Sequence, residues 1–344
     1  ITTYLAVGIV PLAIVGVIAW GVASGGLSTV GAQGSTALET GAYDQLTAMR
    51  DIKEKQITNY FGERQGDMGV LMETVSTLRT EAFAKLEAIQ EIKKSALLDY
   101  IGNLKGQLHV LKDDPYAQEA LTNLDLAFEA GGDSVHSAEW KAAAATVDRR
   151  MKGVMEDNGW YDLFLIHTDG DIVYTACRES DLGMVIPDSE LRTSSLGTAF
   201  AKAQTMGAQE IAFGDMSPYA PSGGAPAAFM IGQMRNEGGT LIGYCALQFP
   251  LDKVNHIMLE RAGMGETGET YLVGQDLLMR SDSFLDPTGH SVAASFKNGT
   301  KADTEAIRSA LAGEEKQAVI MDYNNNPVLS CWDPVDLGSG VQWA

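Results

Sequence analysis

Residues 161–176 read YDLFLIHTDGDIVYTA, two short apolar runs on either side of the turn sequence Thr168-Asp169-Gly170. An Asp-Gly pair between two runs of this kind is the usual signature of a β-hairpin. The stretch therefore predicts two antiparallel strands, at 161–166 and at 171–176. These strands open the first of two sheet units.

Further elements follow the hairpin in an order that occurs twice. The first set continues with a helix at 190–206, strands at 209–213, 227–234 and 241–249, and a helix at 251–262. The second set has strands at 270–273 and 277–280, a helix at 302–312, strands at 316–322 and 327–333, and the start of another strand at 340–343. Each set reads as strand, strand, helical insert and three strands. This order is typical of an α+β arrangement, with antiparallel sheets and helices on one side.

The segment before the sheets predicts a long helix. Residues 36–112 contain no proline and are rich in helix-forming residues. Apolar side chains recur at helical spacing, at Ile57, Tyr60, Met68, Leu71, Val75 and Leu78. The segment also repeats itself with an offset of 40, since residues such as Leu46, Tyr60 and Gly66 recur as Leu86, Tyr100 and Gly106. Two copies are too few for a solenoid, so we expect a helical stalk over 25–112.

The opening run, from Tyr4 to Ala23, is nearly all apolar and uncharged. About twenty helical residues span the roughly 30 Å hydrocarbon core of a bilayer, so a membrane helix is expected over 1–24. A signal peptide cleaved near Ala23 is the alternative, although the run is longer than a usual signal core. No Lys or Arg precedes Arg50, which places the following chain outside the cytoplasm. The start at Ile1 and the end just after an apolar Val341 suggest a piece of a longer protein.

Composition excludes several classes of function. The 344 residues include 45 acidic and 25 basic side chains, a net charge of −20, which argues against a nucleic-acid partner. Three distant cysteines give neither a disulfide framework nor a metal finger. The five histidines are scattered, and no HExxH, GxSxG or P-loop motif occurs. We therefore expect no catalytic residues, no metal and no cofactor, and predict that the chain is not an enzyme.

The order of membrane helix, long helix and two sheet units resembles the double Cache sensor domain of bacterial transmembrane receptors. The stretch RAGMGETGETYLVGQDLLMRSDS, residues 261–283, is similar to the opening of the membrane-proximal unit in methyl-accepting chemotaxis proteins. The stretch DLFLIHTDGDIVYTACRESDLG, residues 162–183, is similar to the first two strands of the distal unit. The resemblance implies two PAS-like (Cache) antiparallel sheet units, a distal unit at 113–255 and a proximal unit at 256–344 that is truncated at its C-terminal end.

The resemblance also implies a function. It predicts an extracytoplasmic small-molecule sensor of a transmembrane chemoreceptor in the cell inner membrane, with its sensor part periplasmic or extracellular. Such a receptor is a homodimer and signals through a cytoplasmic domain that this chain lacks. Alternatives are the sensor region of a histidine kinase or nucleotide cyclase, a membrane-anchored periplasmic enzyme, and a purely structural stalk protein. The expected ligand is a small polar organic molecule, an amino acid or an amine.

The family usually binds its ligand in the distal unit. Amino-acid-binding members carry an Arg two positions before a Trp-Tyr pair; here Trp160-Tyr161 matches the pair, but Asn158 stands at the Arg position. This departure puts recognition of an amino-acid carboxylate in doubt. The predicted ligand contacts are Trp160, Tyr161, Tyr174, Arg178, Asp215, Tyr219 and Ser222.

Two arguments from the residues support that choice. Strand alternation places Tyr174, Ala176 and Arg178 on one face of the second strand. Asp215, Tyr219 and Ser222 are expected in a loop after the third strand, where they would form a lid. The proximal unit is expected to be structural, with Arg280 and Asp282 as a solvated pair at the end of its second strand.

Overall fold

The computed structural model describes residues 30–344, with side chains from residue 34. The predicted membrane helix over 1–24 lies outside the described residues. Among the helices within 30–344, none combines the length and the apolar character that crossing a membrane requires. The chain divides into two compact units, residues 1–80 and 81–344, and each is described by itself.

The first described element is a helix of 83 residues, α1 (Val30–Lys112), which confirms the long helix predicted from the sequence. Within the first unit, the side chains of residues 34–80 are almost all exposed to solvent. Within the second unit, the last turns of α1 bury one apolar face. Its buried side chains are Leu97, Ile101, Leu104, Leu108 and Leu111.

Two shorter helices follow, and each begins and ends at the residues that helix capping favours. Helix α2 (Pro115–Ala130) starts with proline, and the carboxylate of Asp114 accepts from the Tyr116 amide at 3.1 Å. Helix α3 (Ala138–Asn158) starts where the hydroxyl of Ser137 accepts from the Trp140 amide. It ends at Gly159, whose φ of +67° is the left-handed conformation that glycine adopts readily.

The distal sheet has five antiparallel strands in the order β2-β1-β5-β4-β3. They are β1 (Asp162–Ile166), β2 (Ile172–Thr175), β3 (Ile211–Tyr219), β4 (Ala225–Arg235) and β5 (Leu241–Gln248). Helix α4 (Ser195–Thr205) lies between β2 and β3 in the chain. The hairpin predicted at 161–176 is therefore confirmed, and the sheet fits a PAS-like unit.

The distal sheet carries a separate core on each face because its strands are buried on both sides. One core joins strand residues such as Leu165 and Met230 to helices α1, α2 and α3. The other core joins Phe164 and Tyr244 to Phe200 of helix α4, with the rings of Phe200 and Tyr244 5.0 Å apart, edge to face. Alternation along each strand decides which core a side chain enters.

The rest of the second unit follows helix α5 (Leu251–Leu259). It contains α6 (Val292–Asn298), α7 (Glu305–Leu311) and two antiparallel pairs, β6 (Lys316–Met321) with β7 (Pro327–Trp332) and β8 (Val335–Gly338) with β9 (Val341–Trp343). The helix and strands predicted between 302 and 343 are present, and β8 was not predicted.

The two strands predicted at 270–273 and 277–280 do not form as strands. Between them the structure has a single bridge, from Val273 to Met279. Leu277 adopts a φ of +69°, and its amide donates to the carbonyl of Gly274. The ladder stays short because neighbouring backbone groups bond elsewhere: Val273 exchanges two hydrogen bonds with Ala344, and the Met279 amide donates to the hydroxyl of Ser295.

Candidate functional site

The seven predicted ligand contacts do not form one group. Three of them, Trp160, Tyr174 and Arg178, lie toward helices α1 and α3. Three others, Tyr161, Tyr219 and Ser222, gather around two acidic side chains that were not predicted as ligand contacts, Glu179 and Asp181. The seventh, Asp215, lies apart from both groups.

Arg178 and Tyr174 meet as the sequence predicted, although not by strand alternation. Strand β2 ends at Thr175, and Arg178 returns to Tyr174 through a backbone with φ of +60°. The guanidinium lies 4.6 Å from the ring centres of both Trp140 and Tyr174, a cation–π arrangement. Its Nη2 and the Tyr174 hydroxyl both donate to Oδ1 of Asp148.

The polar atom of the Trp160 side chain is hydrogen-bonded within the protein. Its indole Nε1 donates to Oε1 of Gln107, on helix α1, at 3.0 Å. Asn158, which stands at the family's Arg position, donates from Nδ2 to the Val154 carbonyl at 2.7 Å. The position that supplies a cation in amino-acid receptors therefore ends helix α3 here.

The second group contains what we call the acidic cluster, namely Asp162, Glu179, Asp181, Tyr219, Ser222 and Gln248. The Tyr219 hydroxyl donates to Oδ2 of Asp181 at 2.7 Å. Ser222 donates to Oε2 of Glu179 at 2.7 Å, and the Tyr161 hydroxyl donates to Oε1 of the same carboxylate.

Strand pairing places Asp162 and Gln248 next to each other in this cluster. They are directly opposite in the β1–β5 register. Asp162 alternates with Phe164 and Ile166, so it shares their face of the sheet, the one covered by α4. The amide of Gln248 donates to Ser222, which links the strand pair to Glu179.

Three oxygen atoms of the acidic cluster are buried with no hydrogen-bond donor among the described residues. They are Oδ2 of Asp162, Oδ1 of Asp181 and Oε1 of Gln248. The other oxygen of Asp162 is well satisfied, since it accepts from the amides of Leu163, Ala176 and Cys177. Buried polar atoms without a partner are rare in folded proteins because each one costs about 1–3 kcal/mol. All three are acceptors, so the group that would satisfy them is a donor.

Burial also changes the protonation of the cluster. It raises the pKa of Asp162 from 3.8 to about 7, and the nearby Asp181 carboxylate adds to the shift. Burial likewise raises the pKa of Asp181 to about 6, although the hydrogen bond from Tyr219 opposes the shift. Above these pH values the cluster concentrates buried negative charge, which favours a cation.

Asp215 lies within strand β3 rather than in a loop after it, so the expected lid position was wrong. Strand β3 runs to Tyr219 because its pairing with β4 resumes at Ser217 after an irregularity that follows Gly214. Both carboxylate oxygens of Asp215 accept from Arg280, and Oδ1 also accepts from Nε1 of Trp343 at 2.8 Å.

Arg280 is buried, so the expectation of a solvated pair with Asp282 was also wrong. Its side chain is 2% exposed, and its Nη1 also lies 3.0 Å from Oδ1 of Asp276. Asp282 instead accepts from Asn255 and from the Val292 amide. The burial of Arg280 could not be predicted locally, because its partner Asp215 is 65 residues away in the chain.

The β1–β2 turn brings together the ligand atoms of His167, Asp169 and Asp171, all within 4.8 Å of one another. Such a set has the chemistry to hold a divalent cation. Its atoms also hold the hairpin, because Oδ1 of Asp169 accepts from the Asp171 amide at 3.2 Å and lies 2.9 Å from Nδ1 of His167. These contacts account for the cluster as a side-chain-stabilised turn.

Comparison with known proteins identifies the fold. No family model matches the chain, and no curated protein matches it. Among solved structures, the sensory domain of the Campylobacter jejuni chemoreceptor Tlp3 aligns with 78% of this chain and 94% of its own, at 10% identity and a TM-score of 0.51. A methyl-accepting chemotaxis protein X aligns with 77% of this chain and 96% of its own, at 13% identity and a TM-score of 0.50.

A weaker alignment joins the chain to the sensor domain of the V. cholerae histidine kinase DctB. It covers 59% of this chain and 66% of that domain, at 15% identity and a TM-score of 0.39. The two stronger alignments confirm the fold that the sequence resemblance predicted, that of a double Cache sensor domain. At these identities the likeness concerns the fold alone.

Proposed function

We propose that this chain is the extracytoplasmic sensor of a transmembrane chemoreceptor, and that its ligand is a small molecule with a protonated amine. The observation that carries the ligand proposal is the set of three buried acceptor oxygens in the acidic cluster. An ammonium group has three hydrogens to donate and a positive charge that offsets two buried carboxylates. Tlp3, which has a similar fold, has been solved in complex with 4-methylisoleucine, a molecule that also carries an amine.

An amine without a carboxylate fits this chain better than an amino acid does. The family's carboxylate-binding Arg is replaced by Asn158, whose amide nitrogen is bonded to the Val154 carbonyl of its own helix. Arg178, the cation nearest in sequence to the cluster, has its charge compensated by Asp148 and is stacked between Trp140 and Tyr174, although its buried Nη1 has no acceptor among the described residues. These contacts support a ligand whose recognition rests on its cationic end.

Strand β3 connects the acidic cluster to the proximal part of the second unit. It carries Tyr219, in the acidic cluster, and Asp215, which is bonded to Arg280. A ligand acts on a receptor only through different affinities for two states. We propose that amine binding moves Tyr219 and Asp181, and that β3 transmits the shift to Arg280 and from there toward a membrane helix and a cytoplasmic output domain.

The proposal is non-enzymatic, and what supports it is that structural neighbours with a similar fold include a sensory domain and a ligand-binding domain. A test of binding should therefore also measure turnover. Calorimetry on the 344-residue chain would use primary amines from methylamine to 1,5-diaminopentane, with glycine and alanine as zwitterions. Each amine would be paired with the derivative in which every amine is N-acetylated, which keeps the carbon chain and removes the charge.

We expect one or more amines to bind, their N-acetyl derivatives not to bind, and the bound amine to be recovered unchanged. Asp181→Asn should weaken binding at least tenfold, about 1.4 kcal/mol, since it replaces an acceptor by a donor. Asp188→Asn, an exposed carboxylate in the same loop region, is the matched control and should bind like the parent. Tight binding of the zwitterions alone, or equal effects of the two substitutions, would contradict the amine proposal.

A further inference from the structure

A cavity of about 200 Å³ lies in the second unit, apart from the acidic cluster. Leu86 and Leu97 of helix α1 line one side of it, and Tyr271, Val328 and Trp332 are among the residues on the other sides. Apolar cavities of about 150 Å³ are known to bind molecules the size of benzene. This cavity is therefore large enough for a compact molecule of about seven to ten non-hydrogen atoms.

One hydrogen-bond donor on the cavity wall has no acceptor among the described residues. The Tyr271 hydroxyl makes no hydrogen bond to any described residue, and its ring packs edge to face on Tyr323 at 5.3 Å. Burial raises the pKa of Tyr271, so the hydroxyl stays protonated and remains a donor at neutral pH.

The charged groups on the same wall are already satisfied. Lys94 is paired with Asp333 at 2.6 Å, and the carboxylate of Asp322 accepts from the amides of Asn324 and Asn326.

The ammonium of Lys93 donates to the carbonyls of Met258 and Glu260 and to the hydroxyl of Thr270, which uses its three hydrogens.

The carboxylate of Glu269 is satisfied in the same way. It accepts from the hydroxyls of Tyr323 and Ser283 and from two backbone amides. An occupant therefore gains nothing from a charge of its own. It gains from an oxygen that accepts from the Tyr271 hydroxyl.

We propose that this cavity is a second ligand site, which binds a neutral, compact and mostly apolar molecule that carries a carbonyl oxygen. Apolar contacts with the leucine and aromatic side chains supply most of the affinity, and the Tyr271 hydroxyl orients the oxygen. Because the cavity wall joins helix α1 to strand β7, an occupant contacts both elements at once. This site is independent of the amine site, and neither proposal needs the other.

Acetophenone and cumene are suitable probes because they have nearly the same shape and differ in the carbonyl oxygen. Their dissociation constants for the 344-residue chain would be measured by ligand-observed NMR. The parent chain should bind acetophenone at least fivefold more tightly than cumene. In Tyr271→Phe this preference should fall to less than twofold, while cumene affinity stays unchanged.

A second pair of variants tests the position of the site. Val328→Trp fills the cavity and should abolish binding of both probes. Val319→Trp adds the same side chain on the paired strand β6, at a half-exposed position outside the cavity wall, and should leave both affinities unchanged. Melting temperatures of all variants confirm folding. Failure of both probes to bind the parent chain at millimolar concentration, or undiminished binding in Val328→Trp, would overturn the proposal.

Discussion

Arg280 and Asp215 form a bidentate ion pair, with Nε 2.9 Å from Oδ1 and Nη2 2.7 Å from Oδ2. Asp215 belongs to distal strand β3, whereas Arg280 follows the bridge between Val273 and Met279. Two parallel N–H···O bonds fix the orientation of both groups as well as their distance. The pair therefore connects the distal sheet to the proximal part of the unit.

Breaking this pair should destabilise the protein. In Asp215→Ala the buried guanidinium loses two of its hydrogen bonds and one of its two carboxylate partners, with Asp276 remaining. Removing one partner of a buried pair costs about 3–5 kcal/mol, so the midpoint of urea unfolding should fall markedly. Amine affinity should change much less than in Asp181→Asn, because Asp215 lies outside the acidic cluster.

The chain supplies a matched control in Arg308 and Asp303. These residues also form two hydrogen bonds, from Nε to Oδ1 at 2.6 Å and from Nη2 to Oδ2 at 2.7 Å, but they are exposed. Exposed pairs contribute little to stability, so Asp303→Ala should leave the unfolding midpoint almost unchanged. Equal midpoints for the two variants would show that the buried Arg280–Asp215 pair stabilises the fold no more than the exposed Arg308–Asp303 pair does.

Stability should depend on pH through Asp162 and Asp181. Burial raises the pKa of these groups to about 7 and about 6, from 3.8 in the unfolded chain. Between about pH 4 and pH 7 the folded state therefore binds more protons than the unfolded state, and its stability falls as the pH rises. The free energy of unfolding, measured by urea titration at several pH values, should show this slope.

Asp162→Asn should flatten that slope. The amide keeps an oxygen for the amides of Leu163, Ala176 and Cys177, and it has no charge to bury. At pH 8 the variant should therefore be more stable than the parent, whereas at pH 4 the two should be similar. Asp188→Asn should retain the parent slope, and a parent chain that gained stability from pH 4 to pH 7 would contradict the assignment.

Much of the distal fold could be predicted from local sequence. The Asp169-Gly170 turn predicted the β1–β2 hairpin, and Gly170 has the positive φ, +107°, that such a turn needs. The end of β3 was missed because Gly214 and Pro218 interrupt the pattern of a strand. Pairing with the longer strand β4 decides where β3 ends, and such pairing is a tertiary effect that local propensity does not contain.

The acidic cluster was missed for a related reason. An acidic residue at the start of a strand usually faces solvent, so the burial of Asp162 was not predicted. The available signal was alternation, because Asp162 shares a face with Phe164 and Ile166. The burial of Asp181 had no local signal, since its partner Tyr219 is 38 residues away.

Gly214 should tolerate no side chain. A Cβ at this position would lie 2.1 Å from the Ser195 carbonyl oxygen of helix α4. The obstacle is backbone, so helix and strand would have to separate, and overpacking of this kind costs about 1–3 kcal/mol. Gly214→Ala should lower the free energy of urea unfolding by at least that amount.

Gly102 provides the opposite case within helix α1, since a Cβ there would meet nothing within 4 Å. Alanine is favoured over glycine in a helix by about 0.8–1.0 kcal/mol, so Gly102→Ala should be neutral or stabilising. If both alanine variants shifted the free energy of unfolding equally, β3 would not approach α4 as closely at Gly214 as described.

The exposed part of helix α1 should pair with a second copy of the chain. Its apolar residues Ile57, Phe61, Met68, Leu71, Val75 and Leu78 follow one another at spacings of three, four and, from Phe61 to Met68, seven residues, and all are more than half exposed. This is the heptad pattern of a coiled coil, in which each copy covers the other's apolar stripe. We therefore expect the 344-residue chain to dimerise through this stripe.

Leu71→Glu places a charge within the stripe and should weaken dimerisation at least tenfold in sedimentation equilibrium. Val70→Glu is the matched control, because Val70 is the neighbouring residue, is 66% exposed and lies outside the stripe. Since a helix turns by about 100° per residue, the two glutamates face different directions. The control should keep the parent association constant. Equal weakening by both variants, or a monomer at every concentration of the parent chain, would show that this stripe does not join two copies.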